Sequence, residues 1–455
     1  MKRFGLRLLV VSSLWLVAWA GAANRPEYGG TLRVSVHIAP VSLDPADNTQ
    51  PDSIARRDIT ALLFDTLVSI DDLGRVQPGL AVSWQAAPDQ QRWQFHVRPG
   101  VKFDDGSPLT TAAVAASLRT AHPGWNVSEV EDSVVIAVDS ANPVLPAELA
   151  QARYAIVKRS LGKLSGTGPF HVADWQPGKS LLLAANEEYW GGRPFLDSVQ
   201  IDFGRSYRDQ FVALDLRKAD VIEVAADQVR RAAMEGRRLA PSAPIELVAI
   251  VFGRDRPSAE DGKLREALAL SIDRSSIRNV LLQGEGEPAG GLLPNWMTGY
   301  EFLFAAQADM RKAQQQRAEV PQAPSWTISY DVSDPVSRLM AERIALNAKD
   351  AGLRLQTVTT ANADLHVARI VLSSTDPRVA LTSLASTLNL PLPKFTGESA
   401  EAWYQAENTL LQTQRVIPLF HLPINYGLSA SVKNWRTHRD GIWAIDELWL
   451  APEKP

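Results

Sequence analysis

Three kinds of residue pattern in this chain could carry chemistry. Gly178-Lys179-Ser180 has the ending of a phosphate-binding loop, in which backbone N–H groups cradle a phosphate and a lysine reaches its oxygens. That motif requires a glycine five residues before Gly178, and this chain has Ala173 there. The following Leu181-Leu182-Leu183 reads as a strand, so no helix N-terminus would face a phosphate. Gly166-Thr167-Gly168-Pro169 leads into the strand-like Phe170-His171-Val172 and reads as a turn. The doublets Asp71-Asp72, Asp104-Asp105 and Glu187-Glu188 could be the paired carboxylates of a glycosidase. Each sits beside glycine or within a polar turn, where solvated loop charge is the simpler reading. His37, His96, His122, His171, His366, His421 and His438 are scattered, with no pair at helical metal-ligand spacing and no Gly-x-Ser-x-Gly elbow. No cofactor and no metal are expected, and no catalytic residue is assigned.

The elements that would position any site alternate between short strands and helices. Thr31–Ile38 alternates Leu32, Val34, Val36 and Ile38 as a strand, ended by Pro40 and the turn Asp44-Pro45. Ser53–Leu67 spaces Ile54, Ile59, Leu62, Leu63 and Leu67 as a helix, with Arg56, Arg57 and Asp58 between them. Trp93–Val97, Val134–Val138 and Leu181–Ala185 read as strands, and Thr110–Thr120 and Leu264–Asp273 as helices. The Gln- and Ala-rich Ala308–Pro324 reads at most as a mobile surface segment. The class is α/β with mixed sheets.

At 455 residues the chain has room for about three domains or two large lobes. Its net charge of −4 gives no bulk attraction for nucleic acid. The absence of cysteine excludes thiolate catalysis, zinc–thiolate sites, iron–sulfur clusters and disulfides. Thirteen tryptophans against eight tyrosines suit either heavy packing or a recognition cavity walled with flat side chains. Lys2, Arg3 and Arg7 precede the apolar Leu8–Ala20 and the small residues to Ala23, which reads as a signal peptide over residues 1–23 cleaved between Gly21 and Asn24. That run is 13 residues long, short of the roughly 20 that span a bilayer. With no cysteine to carry a lipid, a free periplasmic protein is expected.

A series of longer segments resembles the family 5 extracellular solute-binding proteins, the peptide- and nickel-type receptors of ABC importers. Gly29-Gly30-Thr31-Leu32-Arg33-Val34 and Ser42-Leu43-Asp44-Pro45 resemble that family's opening strand and turn. Leu80–Trp84, Trp93–Arg98 and Val101–Thr110 follow in its order and spacing. Gly166–Phe170 with Trp175, Gly178, Asn186 and Tyr189-Trp190, then Leu264–Leu268 with Ile272-Asp273-Arg274, and finally Ile417–Phe420, continue the likeness over nearly the whole mature chain. The resemblance implies a two-lobed periplasmic-binding-protein fold of type II with an additional small inserted domain. It places residues 24–70, 165–244 and 425–455 in lobe I, 71–164 in the inserted domain and 245–424 in lobe II, with a hinge near 245 and 424. It implies a monomer that does no chemistry, clamps a peptide or other small solute, and delivers it to an ABC transporter permease in the inner membrane. A degenerate module that senses a solute or acts as a scaffold is the alternative.

The chain departs from the family where peptide-binding members carry an aspartate for the peptide's α-amino group, since Ser373-Ser374-Thr375 stand at that position. Ser373 and Ser374 are therefore candidate ligand-binding residues by resemblance. Asn48, Thr49 and Gln50 follow the Ser-Leu-Asp-Pro turn and would lie on a pocket wall or in a solvated loop. Arg369, among Val367, Ile370 and Val371, needs either a ligand anion or an internal carboxylate. Trp125 and Trp296, in Gly/Pro-rich loops, and Phe252, on the lobe-opening strand, would stack on a ligand or pack in a core.

Overall fold

The computed structural model describes residues 26–253, 259–360 and 362–452, so the segment read as a signal peptide lies outside the described residues. None of the helices there is long and apolar enough to cross a membrane. The fold is two-lobed α/β. Its main sheet has eleven strands among the described residues and runs through both lobes. From one edge inward come Phe170–Gln176, Ser180–Ala185, Ser198–Asp202, Thr31–Ser35 and Val221–Val224. The long strands Val416–Leu428 and Arg238–Phe252 follow, and Leu365–Val371, Ser325–Ser329 and Arg354–Val358 complete the path.

In the first lobe, Thr31–Ser35 lies parallel to both Ser198–Asp202 and Val221–Val224. The alternation seen in the sequence puts Leu32 and Val34 into a core with Leu181, Leu183, Val199 and Ile201. The helix Ile54–Leu63 covers that core with Ala55, Ile59, Leu62 and Leu63, and the Ser53 hydroxyl caps its start by accepting from the Arg56 N–H at 3.3 Å. It stops four residues before the expected Leu67. The Leu63 carbonyl accepts from the Gly168 N–H at 3.0 Å instead of from another helical turn. The Gly166–Pro169 turn therefore terminates this helix.

A separate four-stranded antiparallel sheet, ordered Ala81–Ala86, Arg92–Val97, Ser133–Ala137 and Asn126–Val130, carries the helix Thr111–Ala121 on one face. Phe95, Val134 and Ile136 meet Val114 and Leu118 there. Asp104-Asp105-Gly106 is the turn that feeds this helix: Gly106 takes φ +80°, and the Asp105 carboxylate accepts from the Ser107 N–H at 3.0 Å.

The second lobe is covered by helices on both faces of its strands. Alternate residues of Arg238–Phe252 divide between the two cores, Val248, Ile250 and Phe252 on one side and Leu247, Ala249 and Val251 on the other. That double burial is why Leu247–Phe252 is a continuous apolar run. The segment Ala308–Pro324 is not a loose surface stretch. It forms the helix Met310–Ala318, capped by Asp309 and packed on Ala259–Ser271, with Lys312 paired to Glu266 at 3.0 Å. Ala313, fully buried, supplies the apolar contact that the polar composition hid.

Arg238–Phe252 and Val416–Leu428 pair antiparallel as they pass between lobes. The ladder is irregular between Pro241 and Glu246, and Pro244 stands opposite Pro423. Neither proline has an N–H to donate, so the ladder is weakest there.

Candidate functional site

A polar cavity of about 200 Å³ lies where the first lobe, the four-stranded domain and the second lobe meet. Pro45, Asn48 and Gln50 form one wall, and Asp52, Arg56, Arg57 and Thr60 come from the start of the first-lobe helix. Gln151, Ala152 and Arg153 close one side, and Ser373, Ser383 and Thr387 of the second lobe face across.

The 44–50 loop is held by charge. Asp44 takes a fork from Arg159, Nε to Oδ2 at 2.7 Å and Nη2 to Oδ1 at 2.6 Å, which ties the Ser-Leu-Asp-Pro turn to the neighbouring domain. Burial alone would raise the Asp44 carboxyl, but Arg159 and the Ala46 N–H together hold it below the usual carboxylate value. Behind the loop, Arg56 Nη2 donates to the carbonyls of Asp44 at 2.9 Å, Pro45 at 3.1 Å and Asp47 at 2.5 Å. Gln50 accepts from the Val41 N–H at 3.0 Å and donates to the Ser42 carbonyl at 2.9 Å, while Asn48 is exposed on the wall. Thr49 turns away, its hydroxyl donating to Asp47 at 2.6 Å.

Arg57 is buried and spans the lobes. Its Nε donates to both Asp52 oxygens, at 3.1 and 3.0 Å, while Nη2 donates to the Val371 carbonyl at 3.0 Å and Nη1 to that of Leu372. On the far wall the Ser373 hydroxyl is shielded from solvent and has no hydrogen-bond partner among the described residues. Ser374, although adjacent, is off the wall: its hydroxyl accepts from the Asp376 N–H at 3.1 Å. Asp376 caps the helix Pro377–Thr387 by accepting from the Arg378 and Val379 amides.

The aromatic wall is not assembled. Trp125 is buried in the four-stranded domain, stacked on His122 at 4.3 Å and Tyr154 at 4.9 Å. Phe252 is buried edge-on to Trp326 at 5.5 Å, beneath the Arg265 guanidinium. Trp296 donates to the Pro244 carbonyl at 2.9 Å and carries Arg439 over its ring, at the passage between lobes and off the cavity. Arg369 is also off the cavity. It pairs with Asp334 at 2.8 Å and with Glu246, and although burial alone would disfavour its charge, these carboxylates hold it firmly protonated. Trp93, Trp326, Trp435, Trp443 and Trp449 are likewise buried in cores.

The acidic doublets are committed elsewhere. Asp71 accepts from the Arg75 backbone and side chain, and Asp105 from Lys158; each is drawn down to about 2 by those bonds. Glu187 pairs with Arg193 and Glu188 with Lys102. Among the described residues no three His, Asp or Glu side chains gather to hold a metal ion. Sequence reasoning passed over Arg56, Arg57 and Arg153. For Arg57 the signal was there: it lies three residues from Ile54, on the buried stripe of its helix, where an unpaired charge would be costly.

The family described as bacterial extracellular solute-binding proteins, family 5 Middle, matches residues 75–389. The chain is similar to the probable D,D-dipeptide-binding periplasmic protein DdpA of Escherichia coli K12, 26% identical over 323 residues, covering 64% of this chain and 62% of DdpA. It is also similar to the nickel-binding protein NikA of Staphylococcus aureus, 23% identical, covering 62% of this chain and 59% of NikA. The chain thus spans less than two thirds of either relative's length. In three dimensions it resembles the Bacillus subtilis oligopeptide-binding protein AppA, solved with a nonapeptide, with TM-score 0.77, 18% identity and coverage of 94% of this chain and 100% of AppA. The E. coli murein tripeptide binding protein MppA matches with TM-score 0.79, 16% identity and coverage of 94% and 99%.

Proposed function

The chain belongs to the bacterial extracellular solute-binding proteins of family 5, and from that premise we propose that it is a receptor that closes around one small solute and presents it to the permease of an ABC importer. The observation that carries this reading is the cavity walled from both lobes, with Arg57 hydrogen-bonded from one to the other across its edge. A solute touching both walls stabilises the closed form by its differential affinity, and the closed form is what a membrane partner would recognise. The facing prolines Pro244 and Pro423 supply the hinge, since the ladder there bends without losing N–H donors. On this reading the lobe boundaries lie near 245 and 424, with residues 71–164 as the inserted domain; the irregular register around Pro244 supports it.

The receptor acts as a monomer without chemistry of its own, in the periplasm after removal of residues 1–23. Asn48, Gln50 and Ser373 contact the solute, and at about 200 Å³ the cavity is below the 300–1,000 Å³ typical of drug-sized ligands, which suits a compact molecule better than an extended peptide. Mass spectrometry of molecules released on denaturing the purified protein, followed by X-ray scattering with the identified compound, tests the reading. A smaller radius of gyration with bound solute is expected; tight binding with unchanged scattering would favour a sensor or scaffold that does not clamp.

A further inference from the structure

We propose that the solute is an anion, bound through a carboxylate or phosphate oxyanion at Arg153 and Ser373; this rests on the receptor reading above. The cavity lining carries three arginines, Arg56, Arg57 and Arg153, against one carboxylate, Asp52. Asp52 is already engaged by Arg57. Arg56 spends its hydrogen bonds on backbone carbonyls and makes no direct ion pair among the described residues, with Asp52, Asp47 and Asp44 acting on its charge only from a distance. Arg153 is exposed at the cavity rim, has no carboxylate in contact among the described residues, and rests against the Tyr154 ring at 5.0 Å. Opposite, the Ser373 hydroxyl is shielded from water and has no partner among the described residues, a cost that a bound acceptor would remove.

An ammonium group entering this cavity would meet excess positive charge and no uncommitted carboxylate, so its desolvation would go uncompensated. An oxyanion meets the reverse: a guanidinium fork on one wall, a hydroxyl donor on the other and the field of Arg56, tempered by Asp47 and Asp44. A neutral solute would satisfy Ser373 but leave the charge imbalance as it is.

Calorimetric titration of the full mature protein and of Arg153→Gln and Arg153→Lys tests this. The probes are succinate, glutarate, citrate, 3-phosphoglycerate and inorganic phosphate, with succinamide, dialanine and putrescine as uncharged, zwitterionic and cationic counterparts. At least one anion is expected to bind, with its uncharged counterpart at least tenfold weaker. Arg153→Gln is expected to weaken the anion about tenfold or more, and Arg153→Lys to recover part of that loss. Carboxylates and phosphate esters form separate arms that identify the oxyanion. Binding confined to succinamide, dialanine or putrescine, no binding by any anion, or anion binding unchanged in Arg153→Gln overturns the proposal. Compaction by dialanine or putrescine would overturn the charge class and leave the receptor reading standing. If no probe compacts the protein and no molecule is released on denaturation, the receptor reading itself fails.

Discussion

Arg57, on the first-lobe helix, donates through Nη2 to the carbonyl oxygen of Val371 on the second lobe at 3.0 Å. Asp52 fixes the same guanidinium from the first-lobe side. The side chain is thus oriented by Asp52 and bonded to the backbone at Val371 and Leu372, and on the proposed clamp reading those two bonds would break when the lobes open.

Removing this contact should open the molecule. Arg57→Ala is expected to lower stability by about 2–3 kcal/mol, the scale of charge-assisted hydrogen bonds to a buried group, and to increase the radius of gyration of the unliganded protein. Arg57→Lys, which cannot reproduce the fork, should fall between. Scattering and melting curves of Arg57→Ala superimposable on wild type would show that the contact does not hold the lobes together.

Arg369 should matter to stability and not to ligand. Arg369→Ala leaves Glu246 and Asp334 without their cation. The expected cost is about 2–3 kcal/mol, less than for a deeply buried pair because a third of the side chain remains in water. Solute affinity at saturating folded protein should be unchanged; a tenfold loss of affinity would return Arg369 to the binding site.

Glu407 should give the second lobe a pH dependence. Burial pushes its carboxyl from 4.5 up to about 7, against hydrogen bonds from the Tyr300 hydroxyl and the Leu293 and Leu292 amides. The folded state therefore holds this proton more tightly than the unfolded one. Its stabilising contribution is complete below pH 4.5 and is lost as pH rises through about 7. Glu407→Gln keeps the shape and abolishes the titration, so urea unfolding across this range should show the variant gaining on wild type as pH rises. A constant difference would refute the assignment.

His421 should act with the opposite sign. Burial lowers it from 6.5 to about 4, its Nε2 lying 3.1 Å from the Leu292 carbonyl. The neutral ring is favoured in the fold, so its contribution is present above pH 6.5 and is lost as pH falls toward about 4. His421→Gln is expected to remove that acid-side loss, whatever its constant offset, and to expose the Glu407 slope. If unfolding below pH 6.5 is as steep in the variant as in wild type, another group is responsible.

The Gly166 turn should tolerate no side chain. A Cβ there would collide with the Leu63 carbonyl oxygen and the Phe64 ring. Gly166→Ala is expected to cost about 3 kcal/mol or more by forcing the turn off the helix end, whereas Gly178→Ala, with open space around it, should cost only the strain of its left-handed backbone, φ +73°. Equal melting temperatures for the two variants would contradict this packing.

Much of the fold was legible because period and punctuation are local. Leu32 and Val34 alternate into a core, Ser53 and Thr110 mark helix starts, and Gly178 turns between two paired strands. Met310–Ala318 was missed because its single fully buried residue, Ala313, leaves almost no apolar stripe to read. The end of the helix at Leu63 was missed because the group that donates to its last carbonyl, the Gly168 N–H, arrives from a hundred residues away in the chain.

The sequence by itself determined the α/β class and the family, since both depend on residue order and on contacts between near neighbours, while it left the loop after Asp44 open between a pocket wall and a solvated loop. Only the tertiary structure decided which charges face the cavity. Arg369 found Glu246 and Asp334, Asp52 found Arg57, and Arg153 was left with the Tyr154 ring. An isolated arginine in a sequence has the same charge in every environment. Whether that charge is spent inside the protein or left for a ligand depends on partners that only folding brings within about 3 Å.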